Sequence, residues 1–141
     1  MWLRRGIALV AIPLFVPGCG GSEPRAQPTP CPRRATVAPP ANIPRVLDQT
    51  HRGDVVETGR RRGFTAVTVV TSESVVELYP QLARGLLDGG HEILSGDNEG
   101  YEAEIFFALR DGRAGRYLLR EGPCRDEVTI HILFEEKKRD A

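Results

Sequence analysis

Between residues 101 and 135 the chain alternates, and that alternation constrains the fold more than any other feature. Tyr101, Ala103, Ile105, Phe107 and Leu109 share one parity; Glu102, Glu104, Phe106 and Ala108 share the other. A period of two marks a strand with one buried face, because successive side chains point to opposite sides of a pleated sheet. Asp111-Gly112 marks a hairpin turn. Ala114 to Arg120 is its return strand, with Tyr117 and Leu119 opposite Arg116, Leu118 and Arg120. Glu121 to Asp126 reads as a loop. Glu127 to Glu135 is the last strand, with Val128, Ile130, Ile132 and Phe134 inward and Thr129, His131 and Leu133 outward. Strands with one apolar face require a second layer to cover it.

That layer is found upstream. Val75, Val76, Tyr79, Leu82, Ala83, Leu86 and Leu87 recur at spacings of three and four, which is one face of a helix. Ser74 and Glu77 stand at capping-box spacing, and Gly89-Gly90 supplies a left-handed C-cap. Pro80 is tolerated only in a first turn, which places the start of the regular helix near Glu77 or Leu78, after a short turn from Ser74. Phe64 to Thr71, rich in β-branched residues, is a strand before the helix. His91 to Ser95 is a short strand after it, and Gly96 to Gly100 is a turn. Residues 45–63 admit a short helix near 45–50 and a short extended piece near 54–58, with Arg60-Arg61-Arg62 as a solvated loop edge. Arg52-Gly53-Asp54 matches a short adhesion tripeptide that is common by chance, and no function is assigned to it. The element order is β-α-β-β-β-β. It predicts an α+β two-layer sandwich: a mostly antiparallel sheet of about five strands with one main helix on one face.

A single helix covers one face of such a sheet and leaves the other open. The open face is predicted to carry Glu102, Glu104, Phe106, Arg116, Leu118, Arg120, Thr129 and His131, with Leu133 beside them. An apolar centre rimmed by charges reads as a binding surface, unless the upstream segment folds over it. Catalytic signals are weak. His51, His91 and His131 sit on separate elements without ligand spacing, and no nucleophile elbow, phosphate-binding loop or Cys-x-x-Cys occurs. Asp97, Glu99, Glu102 and Glu104 lack a calcium-loop pattern. No catalytic set, metal or cofactor is therefore assigned. An alternative is a small hydrolase using His131 with an acidic neighbour such as Glu102 or Glu104. The chain is neutral overall, but residues 63–141 hold nine basic against fifteen acidic residues, a poor match to nucleic acid.

The amino terminus speaks to compartment. Arg4 and Arg5 lead into an apolar run from Gly6 to Val16, interrupted by Pro13 and ending Val16-Pro17-Gly18-Cys19. Basic residues, a short apolar core and small residues at a processing point have the form of a secretory signal. The run is far shorter than the roughly 20 residues a spanning helix needs. Val16, Gly18 and Cys19 resemble the lipobox of bacterial lipoproteins, from which Pro17 departs. The resemblance covers the signal segment alone. It implies cleavage before Cys19 and attachment of membrane lipid there, and hence an extracytoplasmic domain anchored to the bacterial cell membrane.

The division that follows is a signal peptide at 1–18, a tether at 19–44 rich in proline, and one small domain at 45–141. Lipidation of Cys19 would leave two of the three cysteines, and Cys31 with Cys124 would pair in an oxidising compartment. The expected role is an exported, lipid-anchored, non-catalytic domain that binds a protein or cell-envelope component. A purely structural envelope domain is the other alternative, its exposed sheet covered by its own linker or by another copy.

Overall fold

Among the described residues six strands form, and every adjacent pair of them is antiparallel. The computed structural model describes residue 32 and residues 34–137. The strands are β1 (Asp54–Arg61), β2 (Phe64–Thr71), β3 (Glu92–Asn98), β4 (Glu102–Ala108), β5 (Ala114–Glu121) and β6 (Val128–Glu135), with one α-helix, α1 (Val75–Asp88), between β2 and β3. They form a single sheet in the order β1-β2-β6-β5-β4-β3. The mixed α+β fold with one main helix on one face is as expected. Helix α1 carries the chain from β2 across to the far edge of the sheet. The meander β3-β4-β5-β6 then brings it back until β6 pairs with β2, from Phe64 opposite Glu135 to Thr71 opposite Val128.

The sheet has six strands rather than about five. The extended piece near 54–58 continues to Arg61 and pairs with β2, Arg61 lying opposite Phe64. Arg60 and Arg61 therefore belong to a strand. Arg62 and Gly63 form the two-residue hairpin loop, both with positive φ (52° and 82°). A loop of this type matches the right-handed twist of the flanking strands, and its positive φ values suit glycine. Among the described residues ahead of β1, only Arg45–Leu47 and Thr50–Arg52 are helical, each a single 3₁₀ turn. Asp48 Oδ1 braces the second turn by accepting from Thr50 N at 3.1 Å and Thr50 Oγ1 at 2.6 Å.

Helix α1 starts earlier than expected, at Val75. The capping box outweighs the proline: Ser74 Oγ accepts from Glu77 N, and the Glu77 carboxylate accepts from Ser74 N at 3.1 Å. Pro80 sits inside the helix. At the other end Gly90 N donates to Leu87 O at 2.9 Å and His91 N to Leu86 O at 3.0 Å. Gly90 takes positive φ, which is the paired-bond C-terminal motif that favours glycine at that position. Val75, Leu78, Leu82 and Leu86 are buried, whereas Val76 and Leu87 are 61% and 57% exposed. The apolar stripe is thus narrower than the full set of apolar residues. Strand β3 is longer than expected, running through Gly96 to Asn98. A side chain on Gly96 would meet the Tyr79 hydroxyl at 2.4 Å, so a glycine that reads as a turn signal is a site of close helix approach.

The core lies between the sheet and a layer built from α1 and the segment ahead of β1. Val67, Val69, Ala103, Ile105, Phe107, Tyr117, Leu119, Ile130, Ile132 and Phe134 face it from the sheet. Leu47 is buried in the same cluster, with Ile43 and Val46 packed against it. The Tyr117 hydroxyl donates to Val46 O at 3.3 Å. Burial, opposed by Gln49 and Arg52, holds that phenol well above its ordinary pKa and keeps it a donor. Phe107 lies across the strand from Gly115, where a Cβ would stand 2.2 Å from its ring. The Phe107 and Tyr117 rings are 5.3 Å apart and tilted, a favoured aromatic geometry.

The disulfide expectation is corrected to what the described residues hold. Cys19 and Cys31 lie outside the described residues, so no disulfide closes between two described residues, and a Cys31–Cys124 staple is not part of the described fold. Cys124, in the β5–β6 loop, is itself disulfide-bonded. Within the described residues that loop is held by Gly122 N donating to Glu127 O at 2.7 Å, and by the Arg34–Glu127 ion pair at 2.7 Å. Among the described residues no helix is long and apolar enough to cross a membrane. The lipobox-like segment and Cys19 lie outside the described residues.

Candidate functional site: the open sheet face

Alternation along the strands sends one set of side chains away from the helical layer. In β6 the buried residues Ile130, Ile132 and Phe134 alternate with half-buried Thr129, His131, Leu133 and Glu135. The registers assemble these into rows across the sheet. One row runs Glu57, Thr68, His131, Leu118, Glu104, Asp97; the next runs Gly59, Ala66, Leu133, Arg116, Phe106, Ser95. All eight residues expected on the open face lie there together. Sequence reasoning missed Glu57, Thr68 and Ala66, because placing them needs the β1–β2 and β2–β6 pairings, which are not local. Among the described residues, the upstream segment does not cover this face. Val46 and Leu47 pack in the core on the helix side, and Val37 N reaches only the edge strand, donating to Val55 O at 2.8 Å.

The charges are paired within the face. Arg120 Nε donates to Glu102 Oε2 at 2.6 Å and Arg116 Nη1 to Glu104 Oε1 at 3.1 Å. These are neighbouring-strand pairs between β4 and β5, a regular means of stabilising an exposed sheet face. The Arg116 guanidinium also lies 5.9 Å from the centre of the Phe106 ring, within cation–π range. Phe106 is nonetheless 40% exposed. Thr129 Oγ1 donates to Arg120 O at 3.2 Å.

His131 sits near the middle of this face. Its Nδ1 is 3.1 Å from Thr68 Oγ1, and Thr68 is buried. Burial first, then the positive charge of Arg120, holds its pKa below the ordinary histidine value; Glu57 opposes them and Arg116 adds to them. Glu102 and Glu104 are committed to arginines, so the His131–carboxylate pair of the hydrolase alternative is not formed among the described residues. A hydroxyl beside an imidazole could act as a nucleophile only with donors aimed at a developing oxyanion. Here the neighbouring backbone N–H groups belong to strands paired on both sides. A shallow depression of about 240 Å³ lies beside His131, lined by Ala66, Thr68, Arg116, Leu118 and Leu133 among others.

Elsewhere the geometry is closed. Arg52 of the Arg-Gly-Asp run is tied to Glu73 at 2.8 Å and to Gln49 at 2.7 Å. Gly53 fits because a Cβ there would meet Val70 O at 2.0 Å. Among the described residues no group of His, Cys, Asp and Glu is arranged to hold a metal ion, and no buried side-chain polar atom lacks a partner. No family model matches the chain, and no curated protein matches it.

Proposed function

We propose that this chain is an exported, lipid-anchored domain that binds a protein or cell-envelope component through its open sheet face. The observation that carries the binding half is the face itself. Leu118 and Leu133 are half-buried and Phe106 is exposed, set among Glu102–Arg120 and Glu104–Arg116 pairs, with no described residue laid over them. An apolar centre with a polar, already paired rim has the composition of a recognition surface. The export and anchoring half is supported by the basic-apolar-small pattern ending at Cys19 and the proline-rich stretch that follows.

Site-specific photocrosslinking in the envelope of the producing cell tests the binding half. A crosslinker at Leu118 is expected to give a discrete adduct, and one at Leu87, exposed on α1, is not. Equal yields from both positions would remove the reading. The mass of the membrane-extracted chain tests the other half: a diacylglycerol-modified Cys19 terminus supports anchoring, and an intact Met1 terminus overturns export.

A further inference from the structure

The geometry points to a second copy of this chain as the occupant of the open face, an inference that rests on reading that face as the binding surface. Both sheet edges are unsuited to self-association. The β1–β2 register breaks between Val55 and Glu57, and the β3–β4 register between Ile93 and Ser95. Exposed Glu57, Arg60 and Arg61 stud one edge; exposed Glu92 and Asp97 stud the other. Bulges and charges at edges block strand addition. Of the sheet's own surfaces, that leaves the open face.

Its charge pattern is self-complementary under a two-fold rotation. The outward column of β4 is acidic (Glu102, Glu104) and that of β5, its neighbour, is basic (Arg116, Arg120). A two-fold axis laid over the face, parallel to the strands and between β4 and β5, carries β4 of one copy over β5 of the other. The axis preserves position along the strand. Each acidic column then faces a basic one, Glu102 opposite Arg120 of the second copy, and Phe106 faces the second copy's Arg116. His131 on β6 comes over Asp97 on β3, which share a row in the sheet. An isologous contact requires this kind of self-complementarity. An axis shifted by one strand, between β5 and β6, would set β5 over β6 and β4 over β2, so the two acidic residues of β4 would lose their basic partners.

The area sets the strength. Strands β3 to β6 overlap in each copy. At a spacing of about 4.8 Å and a rise of about 3.4 Å over roughly seven residues, they offer on the order of 450 Å² of projected face per copy. Stable interfaces bury about 800 Å² per partner. The dimer is therefore weak and reversible, and its specificity comes from charge register.

Co-purification of tagged and untagged full-length chains tests this. Wild-type copies are expected to recover one another. Copies with both pairs exchanged (E102R, E104R, R116E, R120E) keep their in-plane pairs and their self-complementarity, so they too recover one another. Mixed wild-type and exchanged copies set like charges face to face and are expected to recover at least tenfold less. Equal recovery in all three combinations overturns the inference. Leu118→Glu, a single change at the centre of the face, provides a check independent of the fourfold exchange, with an expected tenfold loss of self-recovery at unchanged circular dichroism. Absence of self-recovery by wild type, with a heterologous adduct still formed from Leu118, excludes the second copy and leaves the binding-face reading standing. Absence of both removes both.

Discussion

Strand β6 displays two different solutions to burial on its two sides. Ile130, Ile132 and Phe134 are fully buried against α1 and the segment around Leu47, while Thr129, His131 and Leu133 keep part of their surface in water. The covered side is apolar, with its few polar groups hydrogen-bonded. The other side sets aliphatic residues among ion pairs and one histidine. The same backbone supports both, so the difference lies in what covers each face. A side chain on the covered face is held by shape; one on the open face is held by pairing with its neighbours and keeps contact with water.

Replacing a residue on each side measures that contrast most strongly. Ile132→Ala is expected to cost about 2–5 kcal/mol, and the adjacent Leu133→Ala about 1 kcal/mol, read from urea midpoints. Similar losses from both would mean that something covers the open face. Gly115→Ala comes next. Its Cβ would collide with the Phe107 ring, and overpacking of this kind costs about 1–3 kcal/mol. Combining it with Phe107→Leu should recover part of the loss; no recovery would place the strain elsewhere. Ser74→Ala removes the capping box that fixes the covering helix, at a cost of about 1 kcal/mol seen as a lower thermal midpoint.

The smallest expected effect belongs to the open face and depends on pH. The unfolded chain takes up a proton on His131 near its ordinary value of about 6.5. The folded chain resists it, chiefly through burial and then Arg120, with Glu57 opposing. Stability from this group is present above the unfolded value. It is lost as pH falls from there toward the lower folded value, since the unfolded state then binds more protons. Midpoints at pH 8 and pH 5 should therefore differ less in His131→Gln than in wild type. Equal slopes would mean that His131 is not held neutral by the fold.

The covered face was largely legible in the sequence. Period-two alternation is a local signal that placed the residues of β4, β5 and β6 on the correct side; the three-and-four spacing in α1 did so for Val75, Leu82 and Leu86, but included Val76 and Leu87, which are exposed, and left out Leu78, which is buried. Strand β1 was legible only as a short extended piece near 54–58, because Gly59 and the arginines after it carry no apolar alternation; its continuation to Arg61 is set by pairing with β2. The helix start was misjudged because Pro80 was weighed above the Ser74–Glu77 box. Gly96 misled for a related reason: a glycine required by the approach of Tyr79 looks, in sequence, like one required by a turn. The open-face residues were named correctly from parity alone, yet their partners were not. That Arg120 takes Glu102 and Arg116 takes Glu104 follows from the register of the β4–β5 hairpin, and that His131 takes Thr68 follows from the β2–β6 pairing, which no local pattern encodes.

Covalent footprinting of the full chain, in the envelope of the producing cell and again after purification and dilution, tests the open face as the interaction surface. Phe106, Leu118 and Leu133 should be at least several-fold less labelled in the envelope than in the diluted chain, while Val76 and Leu87 on α1 label equally in both. Equal labelling of Phe106, Leu118 and Leu133 in the two settings would contradict it.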